Sequence, residues 1–88
     1  MMIRGSYMSI TSSQCRMARA ALGWSTDKLA AEAKVGRATV HRFEQGGDAR
    51  QSSLDAVRST LENAGIEFIS AGQHSPDGGP GIRLKNGI

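Results

Sequence analysis

"STDKLAAEAKVGRATVHRFEQG", Ser25 to Gly46, sets two short helix-forming runs on either side of "KVG". Ser25 is placed to cap the first run, "TDKLAAEA", and Asp27 falls near the positive end of that helix's dipole. Leu29, Ala30 and Ala33 give it a narrow face of small residues, which lets another helix approach closely. After a tight connection, Gly36 can serve as the N-cap of a second helix from Arg37 to about Gln45. At about 100° per residue, Arg37, Ala38, His41, Arg42 and Gln45 share one arc, while Thr39, Val40 and Phe43 occupy the other. One face packs and the other is offered outward.

Upstream, "ITSSQCRMARAAL" opens with a capping box, Thr11 with Gln14, flanked by Ile10 and Cys15 as a hydrophobic staple. The pattern predicts a helix from about Ser12 to Leu22, stopped by Gly23, with Cys15, Ala18 and Leu22 as its apolar stripe. Arg19 lies on that stripe, and a charge pointing inward needs a partner. Glu44, beside Val40 at the border of the later helix, is placed to meet it. Arg19 and Glu44 are therefore expected to form a buried or half-buried ion pair that orients the bundle more than it stabilises it.

Downstream, "GGDARQ" reads as a turn-rich loop, and Ser52 with Asp55 gives a second capping signal for a helix of about Ser53 to Ala64 with Leu54, Val57 and Leu61 inward. Gly65 closes it, and two alternating segments follow, "IEFI" (Ile66 to Ile69) and "IRLK" (Ile82 to Lys85), separated by "SAGQHSPDGGPG". Ile66 and Phe68 share a face, as do Ile82 and Leu84, and Glu67 can oppose Arg83 or Lys85. A lone two-stranded ribbon is marginal in water. The hairpin must then pack on the last helix or extend into a sheet with a second copy, which would make Ile66, Phe68, Ile82 and Leu84 a dimerisation arm; a frayed glycine-rich tail is the alternative.

Eighty-eight residues suffice for one small domain, and with few aromatics its core must come from Leu, Ile, Val, Ala and Met, which favours a mainly helical fold. The expected organisation is a flexible leader at 1–9, a helical domain at 10–64 and a C-terminal hairpin or arm at 65–88. Net charge is +3 but uneven: residues 1–46 hold seven Lys/Arg against three Asp/Glu, and residues 47–88 hold four against five. The positive half contains the opening stretch, which suits a polyanionic partner. The single cysteine, Cys15, has no second thiol for a disulfide, as in a reducing cytoplasmic setting. No apolar run reaches the roughly 20 residues that span a bilayer, and "MMIRGSYMSI" has no hydrophobic stretch of signal-peptide length, so neither membrane insertion nor export is expected.

Two short helices joined by a tight turn, with a basic arc on the second, describe a helix-turn-helix. Ser25 to Gly46 resembles the lambda-repressor-like (Cro and xenobiotic-response-element) family of transcriptional regulators. The likeness spans about Ile10 to Ala64 and is carried by Leu29 and Ala30, by Val35 in the turn, by Arg37, Thr39 and Val40, and by Glu44 with Gly46. "NAGIEFI" with the later "GIRL" is similar to a hairpin appended to some small members. The turn position that is often glycine in the family is Lys34 here, and the first position of the preceding helix, often a DNA-contacting glutamine, is Thr26. The resemblance implies a bundle of about four helices with a C-terminal β-hairpin, and an arginine–glutamate pair at Arg19 and Glu44.

A B-form major groove admits one helix, whose N-terminal outward arc reads base edges. Arg37, Ala38, His41 and Arg42 are that arc, the two arginines suited to bidentate contact with guanine N7 and O6. Thr26 with the backbone N–H groups at the start of its helix, Lys28, Thr39, Gly46 and Arg50 are the candidate contacts to the DNA backbone. The expected activity is sequence-specific binding of an inverted-repeat operator in double-stranded DNA by a small homodimeric repressor or controller protein. The competing reading is an antitoxin-like protein whose C-terminal segment binds a protein partner while DNA binding serves autoregulation. Cys15, His41 and His74 lack metal-ligand spacing, and no nucleophile–base pair or paired carboxylates are legible, so no metal, cofactor or enzymatic activity is expected.

Overall fold

The computed structural model describes residues 10–69 and 81–85, so residues 1–9, expected to be a flexible leader, the intervening segment 70–80 with His74, and residues 86–88 lie outside the described residues. The described chain is mainly helical: α1 (Ser12–Leu22), α2 (Thr26–Ala33), α3 (Arg37–Glu44) and α4 (Gln51–Asn63) precede strands β1 (Ile66–Ile69) and β2 (Gly81–Leu84). No described helix is long and apolar enough to cross a membrane.

The α1 start follows its sequence signal. Thr11 Oγ1 accepts from Gln14 N at 3.0 Å, and Gln14 Oε1 accepts from Thr11 N at 2.9 Å, so two donors otherwise left over at the helix end are satisfied reciprocally. Gln14 does more than cap. Its buried Nε2 donates to the carbonyls of Ile69 and Gly81, each at 3.0 Å, and so ties the helix to the last pair of the β-ladder.

One closing geometry recurs at the ends of α1, α2 and α3. Gly23 N and Trp24 N return to Ala20 O and Arg19 O; Lys34 N and Val35 N to Ala31 O and Ala30 O; Gly46 N and Gly47 N to Phe43 O and Arg42 O. In each case a left-handed residue turns the chain back, at φ values of +71° for Gly23, +59° for Lys34 and +95° for Gly46. Lys34 does so without a glycine, at an intrinsic cost of about 1 kcal/mol, because the paired bonds and the packing of Val35 on the core hold it there.

α4 departs from expectation. It begins at Gln51, two residues before the predicted start, with extended Arg50 as its N-cap and no side-chain cap. Ser53 N and Leu54 N close onto Arg50 O, which places Ser52 inside the first turn, and Asp55 accepts from Gln51 Nε2 rather than completing a capping box. Val57 and Leu61 are buried as expected, whereas Leu54 is only half-buried. α3 ends at Glu44, one residue short of the predicted Gln45.

β1 and β2 pair antiparallel, with Ile66 opposite Leu84, Glu67 opposite Arg83, Phe68 opposite Ile82 and Ile69 opposite Gly81. β2 thus runs one residue earlier than predicted, and Arg83 rather than Lys85 answers Glu67. Lys85 leaves the ladder: its N–H donates to Gly65 O and its ammonium to Glu62 O. The ribbon takes the first of the two expected routes to stability, packing β1 against α4 and β2 against α1. Ile66 is fully buried among Ile10, Cys15, Leu29 and Leu61, so it serves its own chain's core and is not the partner-facing residue expected from its alternation. Phe68, Ile82 and Leu84 share that inward face and are half-buried against the same core.

Candidate nucleic-acid interface

α3 has two chemically opposite sides. Val40 and Glu44 are buried, and Thr39 and Phe43 are half-buried, while Arg37, Ala38, His41, Arg42 and Gln45 are exposed along the other arc. The division follows from the helical repeat applied to this sequence.

The inner side is fixed by an ion pair. Arg19 Nε and Nη2 donate to the two carboxylate oxygens of Glu44, each at 2.9 Å, and Arg19 Nη1 donates to Trp24 O at 3.0 Å. Arg19 and Glu44 are thus paired as the sequence indicates, with Glu44 the more enclosed. Cys15 Sγ donates to Glu44 at 3.2 Å, and Arg16 adds a bond to the Glu44 backbone carbonyl. Burial disfavours ionised Glu44, but the bonds from Arg19 and Cys15 outweigh it and hold the carboxyl below its ordinary range. Burial, reinforced by Glu44, pushes the Cys15 thiol up to about 12, so it stays protonated and chemically quiet. Of this network only Trp24 reaches the open groove bounded by Trp24, Glu32, Thr60, Asn63 and Ala64; Cys15, Arg16, Arg19 and Glu44 do not line it.

On the outer side, three polar members of the arc are each held by a neighbour. Arg37 Nη1 approaches Asp27 at 3.4 Å, His41 Nε2 shares a hydrogen bond with Thr26 Oγ1 at 3.0 Å, and Arg42 Nε donates to Asp48 O at 3.2 Å. Two of these contacts join α3 to the first turn of α2, and the third joins it to the loop before α4. Ser25 already accepts from Lys28 N, leaving the Thr26 and Asp27 N–H groups as the outward donors of that turn. Asp27 was legible only as a helix-dipole residue; its pairing with Arg37 across the turn had no local signal.

The residues expected to touch a DNA backbone do not form one set. Thr26 belongs with the α3 arc through His41, and exposed Gly46 and Arg50 flank the loop that receives Arg42. Thr39 is half-buried, at the border between the two sides of α3. Lys28 is directed elsewhere: its ammonium bonds Glu32 at 3.0 Å and lies 5.5 Å from the centroid of the Trp24 ring. The favourable one-turn spacing between Lys28 and Glu32 draws it along α2 rather than toward α3. Among the described residues, no group of three or more His, Cys, Asp or Glu is arranged to hold a metal ion.

The arrangement offers exposed, partly pre-oriented cationic and hydrogen-bonding groups on one helix whose opposite side is anchored in the core. Such a surface suits an anionic, groove-shaped partner. No protein-family model and no curated protein matches this chain.

Proposed function

We propose that this chain binds double-stranded DNA sequence-specifically, as a small homodimeric transcriptional regulator of the lambda-repressor-like helix-turn-helix type, acting in the cytoplasm as a repressor or controller protein. The observation that carries the reading is the exposed arc of Arg37, Ala38, His41 and Arg42 on α3, backed by buried Val40 and Glu44. A reading helix needs both properties: side chains free to enter a groove, and a rear face that cannot rotate.

In this reading Arg37 and Arg42 address guanine edges, Ala38 offers a methyl contact to thymine, and His41 donates to a base or a phosphate. Thr26, with the N–H groups of the α2 start, and the loop from Gly46 to Arg50 position the helix on phosphates, adding salt-dependent affinity without sequence information. A helix of eight residues covers only a half-site, which is why a two-fold dimer on an inverted repeat is proposed. Half-buried Phe68, Ile82, Leu84 and Leu54 and exposed Met17 are among the apolar groups from which a dimer contact would draw. The single cysteine, buried and unpaired, suits a reducing compartment.

Selection from random duplex DNA at near-physiological salt tests the proposal. Enrichment of an inverted repeat, with half-site centres about one helical turn or a multiple apart, is expected. Salt-sensitive retention without enrichment would overturn sequence-specific reading.

A further inference from the structure

Gly46 and Gly47 follow α3 but do different things. Gly46 occupies the left-handed region at φ +95°, and a Cβ there would meet nothing within 4 Å. Gly47 lies outside that region, and its difficulty is steric: a Cβ would sit 2.6 Å from Arg42 Cγ, 3.0 Å from Arg42 O and 3.4 Å from Arg42 Cδ. The aliphatic stem of Arg42 therefore lies flat across the space that any other residue would fill. From that position Arg42 Nε reaches Asp48 O at 3.2 Å, while Gly47 N closes the helix onto Arg42 O at 2.9 Å. Helix endings of this kind usually carry an apolar side-chain contact between these two positions. Here bare backbone receives an arginine stem instead.

We infer that Gly47 is a positioning residue: the missing side chain sets the direction of the Arg42 guanidinium and, through it, the base preference of α3. A long arginine side chain samples many rotamers when unconstrained. Laying its stem over Gly47 and holding Nε on Asp48 O leaves the Nη1/Nη2 edge for bidentate contact, the geometry that guanine N7 and O6 accept. This inference rests on the proposed role of α3 as a reading helix.

The test compares the parent with Gly47→Ala, Arg42→Ala and the double variant, using two readouts. In the free proteins, NMR should show a contact between the Arg42 Hγ protons and Gly47 Hα and a slowly exchanging Arg42 Nε–H, both lost in Gly47→Ala. In random-duplex selection, Gly47→Ala should relax preference at the same base position as Arg42→Ala, by roughly tenfold, and the double variant should be no worse than Arg42→Ala alone. A Gly47→Ala protein that keeps the parental preference, or whose loss adds to that of Arg42→Ala, overturns the inference. Should Gly47→Ala melt well below the parent, recovery of the melting temperature in the double variant identifies the stem as the obstacle and supports the inference; no recovery identifies the backbone carbonyl and overturns it. A parent with no sequence preference ends the proposed function and any part Gly47 has in specificity. The NMR contact then decides positioning on its own: it stands if seen in the parent and lost in Gly47→Ala, and falls if absent from the parent.

Discussion

On one side of α3, Arg19 grips Glu44 through two 2.9 Å bonds with the carboxylate only 6% exposed; on the other, Arg37 approaches Asp27 at 3.4 Å with the two side chains 68% and 60% exposed. The charged groups are alike, but their surroundings make them behave oppositely. Water screens the outer pair, so exchanging Asp27 for a phosphate or a base edge costs Arg37 little. In the inner pair the Glu44 carboxylate has little water to fall back on, and losing Arg19 strands it. The difference teaches how one short helix serves two ends: the same chemistry locks its rear face and leaves its front face available.

Removing the inner arginine should have the largest effect. Arg19→Ala leaves Glu44 buried without its main partner and is expected to destabilise the fold by about 3 kcal/mol, the lower part of the range for broken buried pairs because Arg19 is partly exposed. Thermal or urea unfolding measures it, and an unchanged midpoint would mean that the inner pair is no more consequential than the outer one.

The same pair has an acid signature. Folded Glu44 titrates below its ordinary value, so its contribution is fully present above about pH 4.3, the value for an unfolded glutamate, and is lost as pH falls through the depressed folded value. In Arg19→Ala the lowering bonds from Arg19 are gone and burial disfavours the charged form. The stability gap between parent and variant should therefore be widest near neutrality and narrow below about pH 4. A gap that stays constant between about pH 3 and 7 to within the unfolding error would place the lost energy in packing rather than charge.

The outer side should answer in binding, not in stability. Arg37→Ala is expected to keep the parental unfolding midpoint while losing about 1–3 kcal/mol of discrimination at one base position per half-site, measured by competition between point variants of the selected duplex. Equal weakening for every duplex would reassign Arg37 to a phosphate. The smallest effect belongs to its partner: Asp27→Asn should alter stability by less than about 0.5 kcal/mol and slightly tighten DNA binding by removing a negative charge beside the proposed phosphate position. A tenfold loss of binding on that change would show that Asp27 actively orients Arg37.

Most of this division is legible in the sequence because it follows from local rules. Ser25, Gly36 and the Thr11–Gln14 box mark helix starts, and the helical repeat alone separates Val40 and Phe43 from Arg37, His41 and Arg42, with Glu44 at the border. Arg19 with Glu44 is legible because a charge on an apolar stripe demands a partner and one acidic residue stood at a suitable border. What escapes depends on side-chain reach. Lys28 has a nearer acid one turn along its own helix, at a spacing the sequence carries but the phosphate-contact expectation passes over; Gln14 spans from α1 to the ribbon end and Arg42 folds over a glycine five residues on, and no pattern of residue types announces these two conformations. The α4 start misleads because Ser52 and Asp55 imitate a capping box, while the carbonyl of Arg50 supplies the closing bonds two residues earlier. Ile66 alternates like a partner-facing strand residue, yet the one-chain core has room to enclose it.

An NMR titration of the labelled protein with the best duplex from selection probes the front face of α3 most directly. Shift changes and intermolecular contacts centred on Arg37, Ala38, His41 and Arg42, with smaller changes at Thr26 and Gly46 to Arg50 and none at Val40 or Glu44, are the expected result. Changes centred instead on β1 and β2, with the α3 arc undisturbed, would contradict the assignment of α3 as the reading helix.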